Sequence, residues 1–186
     1  MKTRGRGTRG LSRDEVLDVT MALAERGGLD AVSMRAVADR LDVTPMALYR
    51  YVDGKQGLLD GLVERMMAEM PADRPDLPWQ DRMRAFAAAI RQVARRHPEL
   101  FLLMFTRPTV TDEARRPRAA VQDMLRAAGV PEAIVPPLQR LLDTVGLGMA
   151  ASEAHGRFSG TPEEVEEVYQ LAEEIFIQAI ERYASD

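Results

Sequence analysis

The stretch TPMALYRYVDGKQGLL, Thr44 to Leu59, decides how the chain is read. Thr44-Pro45 offers a helix N-cap followed by proline at the first helical position. Asp53-Gly54-Lys55-Gln56 reads as a second helix start, a capping box. Between them Tyr49, Arg50 and Tyr51 crowd one short helical segment, and Lys55 follows, in a chain whose net charge is −4. Either these groups form a packed corner, or they face something negatively charged.

Just upstream, Ser33 is an N-cap candidate for a helix with Met34, Val37, Ala38 and Leu41 on its inner face. Two short helices, 33–40 and 44–52, separated by a three-residue joint, fit a helix-turn-helix. Ala38, Leu41, Val43 and Leu48 pack the inside of such a corner, and Val52 closes it. Pro45, Met46, Tyr49 and Arg50 are left on the outer face of the second helix. A recognition helix brings its N-terminal residues to base edges in the major groove while flanking groups hold phosphates. Thr44, Tyr49 and Tyr51 can donate hydroxyl hydrogens to phosphate oxygens. Lys55, at a helix N-terminus, adds a point charge where the helix dipole already favours an anion. Arg50 can bind a phosphate or reach guanine. The alternative is plain packing: Tyr-x-Tyr on an amphipathic helix half-buries readily, and a lone lysine is a solvated helix start.

The charge distribution favours an anionic partner for this end of the chain. Residues 1–13 carry Lys2, Arg4, Arg6, Arg9 and Arg13 and no acid; residues 1–56 hold 10 basic and 8 acidic side chains, and the rest hold 15 and 21. The only two lysines, Lys2 and Lys55, both fall in the first part. The arm Lys2–Arg9 reads either as a minor-groove contact or as a solubilising tail.

Apolar residues recur at helical spacing nearly everywhere, and no stretch alternates as a strand does, so the chain reads as all-α. Ser12-Arg13-Asp14-Glu15 is a capping box that opens a helix to about Arg26, stopped by Gly27-Gly28. The helix opened near Asp53 places Leu58, Leu59, Leu62, Val63 and Met66 inside. Residues 71–78, PADRPDLP, form a proline-rich break. Longer helices follow at about 79–97, 112–128 (disturbed by Pro117) and 131–154, with a short one at 99–105. The last opens with the box Thr161-Pro162-Glu163-Glu164 and runs to about Tyr183.

With no cysteine, disulfides and thiolate chemistry are excluded, and no cofactor or metal ligand set is expected. No apolar run is long enough for a transmembrane helix, the N-terminus lacks a signal-peptide core, and a cytoplasmic protein is expected. An enzyme would need a site, and there is little to build one from. His97 and His155 share no motif, and no phosphate loop, nucleophile elbow or zinc pair occurs.

The stretch from Leu11 to Met66 resembles the DNA-binding domain of the tetracycline-repressor (TetR) family of bacterial regulators. The resemblance is carried by Ala47-Leu48-Tyr49 and by Lys55 ahead of Leu58-Leu59. It implies DNA contacts from Ser33, Arg35, Thr44, Pro45, Met46, Tyr49, Tyr51 and Lys55, with Arg50 at a variable position. Met46 stands where family members often have a small residue. The implied organisation is a basic arm over 1–10, then a three-helix DNA-binding domain with its connecting fourth helix over 11–70. A helical effector-binding and dimerisation domain over 79–186 completes it.

The later helices resemble the regulatory domain of the tetracycline-repressor branch more loosely, through Trp79, Thr106-Arg107-Pro108 and Val145-Gly146. In that branch histidines serve a magnesium–tetracycline chelate. Leu103 and Leu147 stand at the corresponding positions and cannot bind metal, so a more apolar effector is expected. Candidates to line its site are Phe86, Ile90, Phe101, Met104, Phe105, Met124, Leu142, Leu147 and Met149, with Arg107 as an anchor for a ligand acid or as the partner of a carboxylate. Val165, Val168, Ala172, Ile175, Ala179 and Tyr183 make one stripe, and Leu138, Leu141, Leu142, Val145, Met149 and Ser152 another. Gly146, Gly148, Ala150 and Ala151 permit close helix approach. The resemblance implies a homodimer through these last two helices, with recognition helices roughly 34–36 Å apart on a palindromic DNA operator. The expectation is a repressor released by a small molecule; the alternative is a dimeric DNA-binding regulator with no effector.

Overall fold

The structure is a computed structural model that describes residues 10–107 and 111–184, the side chains of 112 and 113 excepted. The basic arm Lys2–Arg9 and Pro108 lie outside the described residues. The described residues form helices and turns, in the order α1 (Arg13–Gly27), a 3-10 turn (Leu29–Ala31), α2 (Met34–Leu41), α3 (Pro45–Leu48) and α4 (Gly54–Ala68), then α5 (Trp79–Arg96), α6 (Pro98–Phe101), α7 (Leu103–Thr106), α8 (Asp112–Ala127), α9 (Val135–Ala154) and α10 (Pro162–Ala184). Among them no helix is long and apolar enough to cross a membrane. Two compact units divide between Leu62 and Val63, inside α4, while the proline-rich segment 71–78 falls within the second unit.

Local chemistry sets the helix ends of the first unit. The Ser12 hydroxyl accepts from the Glu15 amide at 3.2 Å, and the Glu15 carboxylate accepts from the Ser12 amide at 3.0 Å, a complete capping box. Ser33 caps α2 by accepting from the Ala36 amide at 3.1 Å. Asp42 ends α2 in the left-handed region, φ 57°, which turns the chain sharply into Thr44-Pro45. Val16, Leu17, Val37, Ala38, Leu48, Val52, Leu58 and Leu62 are buried and fill the unit's core. Leu41 and Val43 are half-buried at the corner's edge. The second helix of the motif is shorter than its pattern predicts: it stops at Leu48, and residues 49–51 continue as turns, with the amides of Tyr51 and Val52 both donating to the Leu48 carbonyl. Gly54, at φ 64°, releases the chain into α4.

In the second unit α5, α8 and α9 pack most closely on one another. One end is closed by a core of Val121, Leu125, Val130, Val135, Leu138 and Ile180, against which Trp79 and Met83 pack. α8 runs through the buried Pro117 without breaking. The capping box at Thr161 and Glu164 forms in both directions, and α10 follows it. Arg82, almost wholly buried, holds Asp73 of the proline-rich segment through two hydrogen bonds of 2.5 and 3.0 Å.

The apolar stripe expected on α10 splits into two. Val168, Leu171 and Ile175 are exposed on one side, whereas Tyr169, Phe176 and Ile177 turn to the interior and Ala172 is half-buried. α9 divides in the same way: Leu141 is exposed, while Leu142, Gly146 and Met149 line an internal cavity and Ala150 and Ala151 are buried. A helix apolar on two faces presents two overlapping 3–4 patterns, and spacing alone does not separate them.

Candidate nucleic-acid interface and ligand cavity

Leu48 is fully buried under the corner, and this anchors the neighbouring positions outward. On the four-residue helix α3, Pro45 lies one turn before Tyr49 and Met46 one turn before Arg50; all four are exposed. Met46 is 74% and Tyr49 54% exposed, unusual for large side chains of this polarity. Gly54 lies close to the Tyr49 ring, and Lys55 stands exposed in the first turn of α4. Thr44 is exposed and its side chain makes no capping hydrogen bond, so the hydroxyl is available. Ser33 has spent its acceptor on the α2 cap but keeps a hydrogen to donate. Arg35 is exposed, 3.9 Å from Asp39, a pair too open to hold the guanidinium in place. Tyr51 is half-buried.

The second unit encloses a cavity of about 250 Å3 between the end of α4 and helices α5, α7, α8, α9 and α10. Phe86, Ile90, Met104, Leu142, Leu147 and Met149 line it, and so do Met83, Val121, Tyr169 and Phe176, which sequence reasoning missed. Four predicted positions lie elsewhere. Phe101 is fully buried in packing, Phe105 is about half exposed, Met124 belongs to the core and borders a smaller cavity, and Arg107 is not in the wall. Phe101, Met104 and Phe105 crowd into two successive single-turn helices, so each points a different way. Of the two leucines at the histidine positions of the tetracycline branch, Leu147 lines the cavity and Leu103 is buried outside its wall.

Charges in the wall are mutually compensated. Arg84 bonds Glu173 and, at 2.9 Å, Asp81. Arg91 bonds Glu153 at 2.6 and 2.9 Å and Glu166 at 2.6 Å, and its guanidinium lies 3.8 Å over the Tyr169 ring. Burial works against ionisation of Glu153, but hydrogen bonds from Arg91 and Arg95 outweigh it and hold the carboxyl below its ordinary range. The Tyr169 hydroxyl is buried beside Glu153 without a well-formed hydrogen bond, and burial pushes its pKa up. Asp143 is the exception to tight pairing: Gln139 donates to its Oδ2, and the Arg118 Nε stands 3.7 Å from the same oxygen. Burial raises its pKa against the weaker pull of Arg118.

Residues 16–62 match the bacterial regulatory proteins of the tetR family, and residues 83–175, half of the chain, match the tetracyclin repressor-like C-terminal domain. The chain belongs to the TetR family. It is 32% identical over 147 residues to the HTH-type transcriptional repressor DrrR1 of Streptomyces coeruleorubidus, which covers 78% of this chain and 54% of that protein. The chain thus spans about half the length of this curated TetR relative. Its fold is that of Mycobacterium smegmatis BioQ solved with its double-stranded DNA operator (TM-score 0.75, 21% identity, 93% of this chain and 99% of BioQ). It is also that of Streptomyces coelicolor ActR solved with actinorhodin (TM-score 0.79, 19% identity, 95% and 100%). TetR proteins are transcriptional regulators rather than enzymes. The inward face of α10 is marked in the sequence by Tyr169 and Phe176, seven residues apart, a spacing hidden by the neighbouring Val168 and Ile175.

Proposed function

We propose that the chain is a transcriptional repressor that binds a palindromic operator as a homodimer and is released by a small, mostly apolar molecule held in the second unit's cavity. The observation that carries the reading is the exposed row Thr44, Pro45, Met46, Tyr49, Arg50 and Lys55 around a corner whose only inward anchor on α3 is Leu48. Thr44, Tyr49, Tyr51 and Lys55 suit phosphate oxygens; Met46 and Arg50 suit base edges. Exposed Leu141, Val168, Leu171, Ile175 and Tyr183 support association through α9 and α10, because an apolar row of this kind favours a covering partner. Gly148 supports it too, since a Cβ there meets nothing in its own chain. Within the cavity an effector would shift operator affinity by roughly 5–150-fold, the usual reach of a coupling of about 1–3 kcal/mol.

Selection of bound duplexes from a random pool tests the reading. The expected product is a two-fold symmetric sequence with half-sites about one helical turn apart. Recovery of no preferred sequence, or of an asymmetric one, would refute the dimeric operator.

A further inference from the structure

We propose that the cavity selects a ring-containing ligand that carries a protonated amine, and that Asp143 is the group that receives it. The proposal rests on the cavity being an effector site and names the chemistry that site accepts.

An anionic ligand finds two of the three cations in the wall already engaged. Of the three arginines in the wall, Arg84 is bonded by Glu173 and Asp81 and Arg91 by Glu153 and Glu166. Binding an anion at either means displacing a carboxylate already in contact. The third, Arg118, stands beyond hydrogen-bond distance of Asp143 and is more than half exposed. The remaining wall is apolar, with Phe86, Ile90, Val121, Leu142 and Leu147 among its residues. Such a surface favours a ring system and leaves orientation to the few polar atoms within it.

Asp143 offers such an atom. Its hydrogen bond from Gln139 and its nearest approach to Arg118 both fall on Oδ2, Arg140 adds a longer-range attraction, and Oδ1 accepts no hydrogen bond among the described residues. That oxygen is not sealed in the interior. Behind it stands a polar relay in an apolar setting. Gln122 Nε2 donates to Gln139 Oε1 at 3.4 Å, and the almost fully buried Gln139 donates onward to Asp143. The first bond orients the Gln139 amide with its NH2 toward the carboxylate and holds Oδ2. A carboxylate kept only for stability would be better paired: burial raises the Asp143 pKa, so its ionised form works against folding at neutral pH. A ligand ammonium supplies the missing charge-assisted hydrogen bond at Oδ1.

Three naphthalene probes that differ in one group test this by calorimetry on the full chain: 1-naphthylmethylammonium, 1-naphthalenemethanol and 1-naphthoate. The ammonium is expected to bind about tenfold more tightly than the alcohol, the scale of one charge-assisted bond, with naphthoate weakest. Asp143→Asn, of the same shape, is expected to weaken ammonium binding most and so erase the gap, with thermal stability unchanged or improved. Equal binding of ammonium and alcohol, tighter binding of naphthoate, or a gap that survives in Asp143→Asn would each overturn the proposal and leave the cavity reading in place. Nile red, a neutral apolar dye, separates the two. If neither it nor any probe binds in a manner blocked by Leu147→Trp, the cavity reading fails and the proposal with it.

Discussion

Around α3, Arg50 and Lys55 stand exposed without an ion pair among the described residues, whereas the arginines in the cavity wall face carboxylates of their own unit. The same residue type thus serves opposite ends. Exposed, uncompensated cations attract a polyanion from outside and lose that attraction in salt. Cations matched across a cavity hold helices together, and they leave selection to wall shape and to the few acceptors that remain unmatched. The difference teaches where each unit is sensitive: the first in binding, the second in stability.

Glu153→Ala strikes hardest at this contrast. Glu153 joins Arg91 and Arg95, and its removal leaves a guanidinium only 13% exposed with Glu166 as its remaining carboxylate. The expected loss is about 3 kcal/mol, the usual cost of breaking a buried pair, seen as a thermal midpoint lower by about 10 °C. The sign with pH follows from the depressed Glu153 pKa: its contribution is complete above the ordinary value of 4.5 and disappears as pH falls through the lower folded value. A loss below about 1 kcal/mol would mean that the wall charges are surface pairs after all.

Much of the first unit was legible because its signals are local. Ser12 with Glu15, and Ser33, each cap a helix through contacts a few residues away, while Thr44-Pro45 and the box Asp53–Gln56 stand at the helix starts they predict. The early end of α3 at Leu48 was not legible, since Tyr49 to Val52 keep a helical spacing while taking turn geometry. The cavity was legible only in part. Its wall draws on six helices, and whether an apolar residue faces lumen, core or solvent depends on partners distant in sequence. Met104 and Phe105 are adjacent, yet one lines the cavity and the other is exposed. Asp143 went unnoticed because a carboxylate on a helix ordinarily reads as a solvated face.

Gly61→Ala sharpens the comparison from the other side. A Cβ at Gly61 would collide with the buried Leu17 side chain, where α1 and α4 approach closely. Overpacking costs typically about 1–3 kcal/mol, offset by about 1 kcal/mol of helix propensity, so a net loss of up to about 2 kcal/mol is expected. Hydrogen exchange of the α1 and α4 amides checks it, and unchanged protection would show that the corner yields more easily than its packing implies.

The smallest expected effect bears on the central claim that the α3 corner meets DNA phosphates. Lys55→Ala should weaken binding to all duplexes alike, by about 1 kcal/mol, without altering sequence preference. The direct measurement is the affinity of the unaltered chain and of Lys55→Ala for the selected duplex across a series of salt concentrations. A logarithmic plot should fall steeply for the unaltered chain, by about 0.9 per phosphate neutralised, and be shallower by about one such unit for the variant. A flat plot, or identical slopes for the two proteins, would contradict the account.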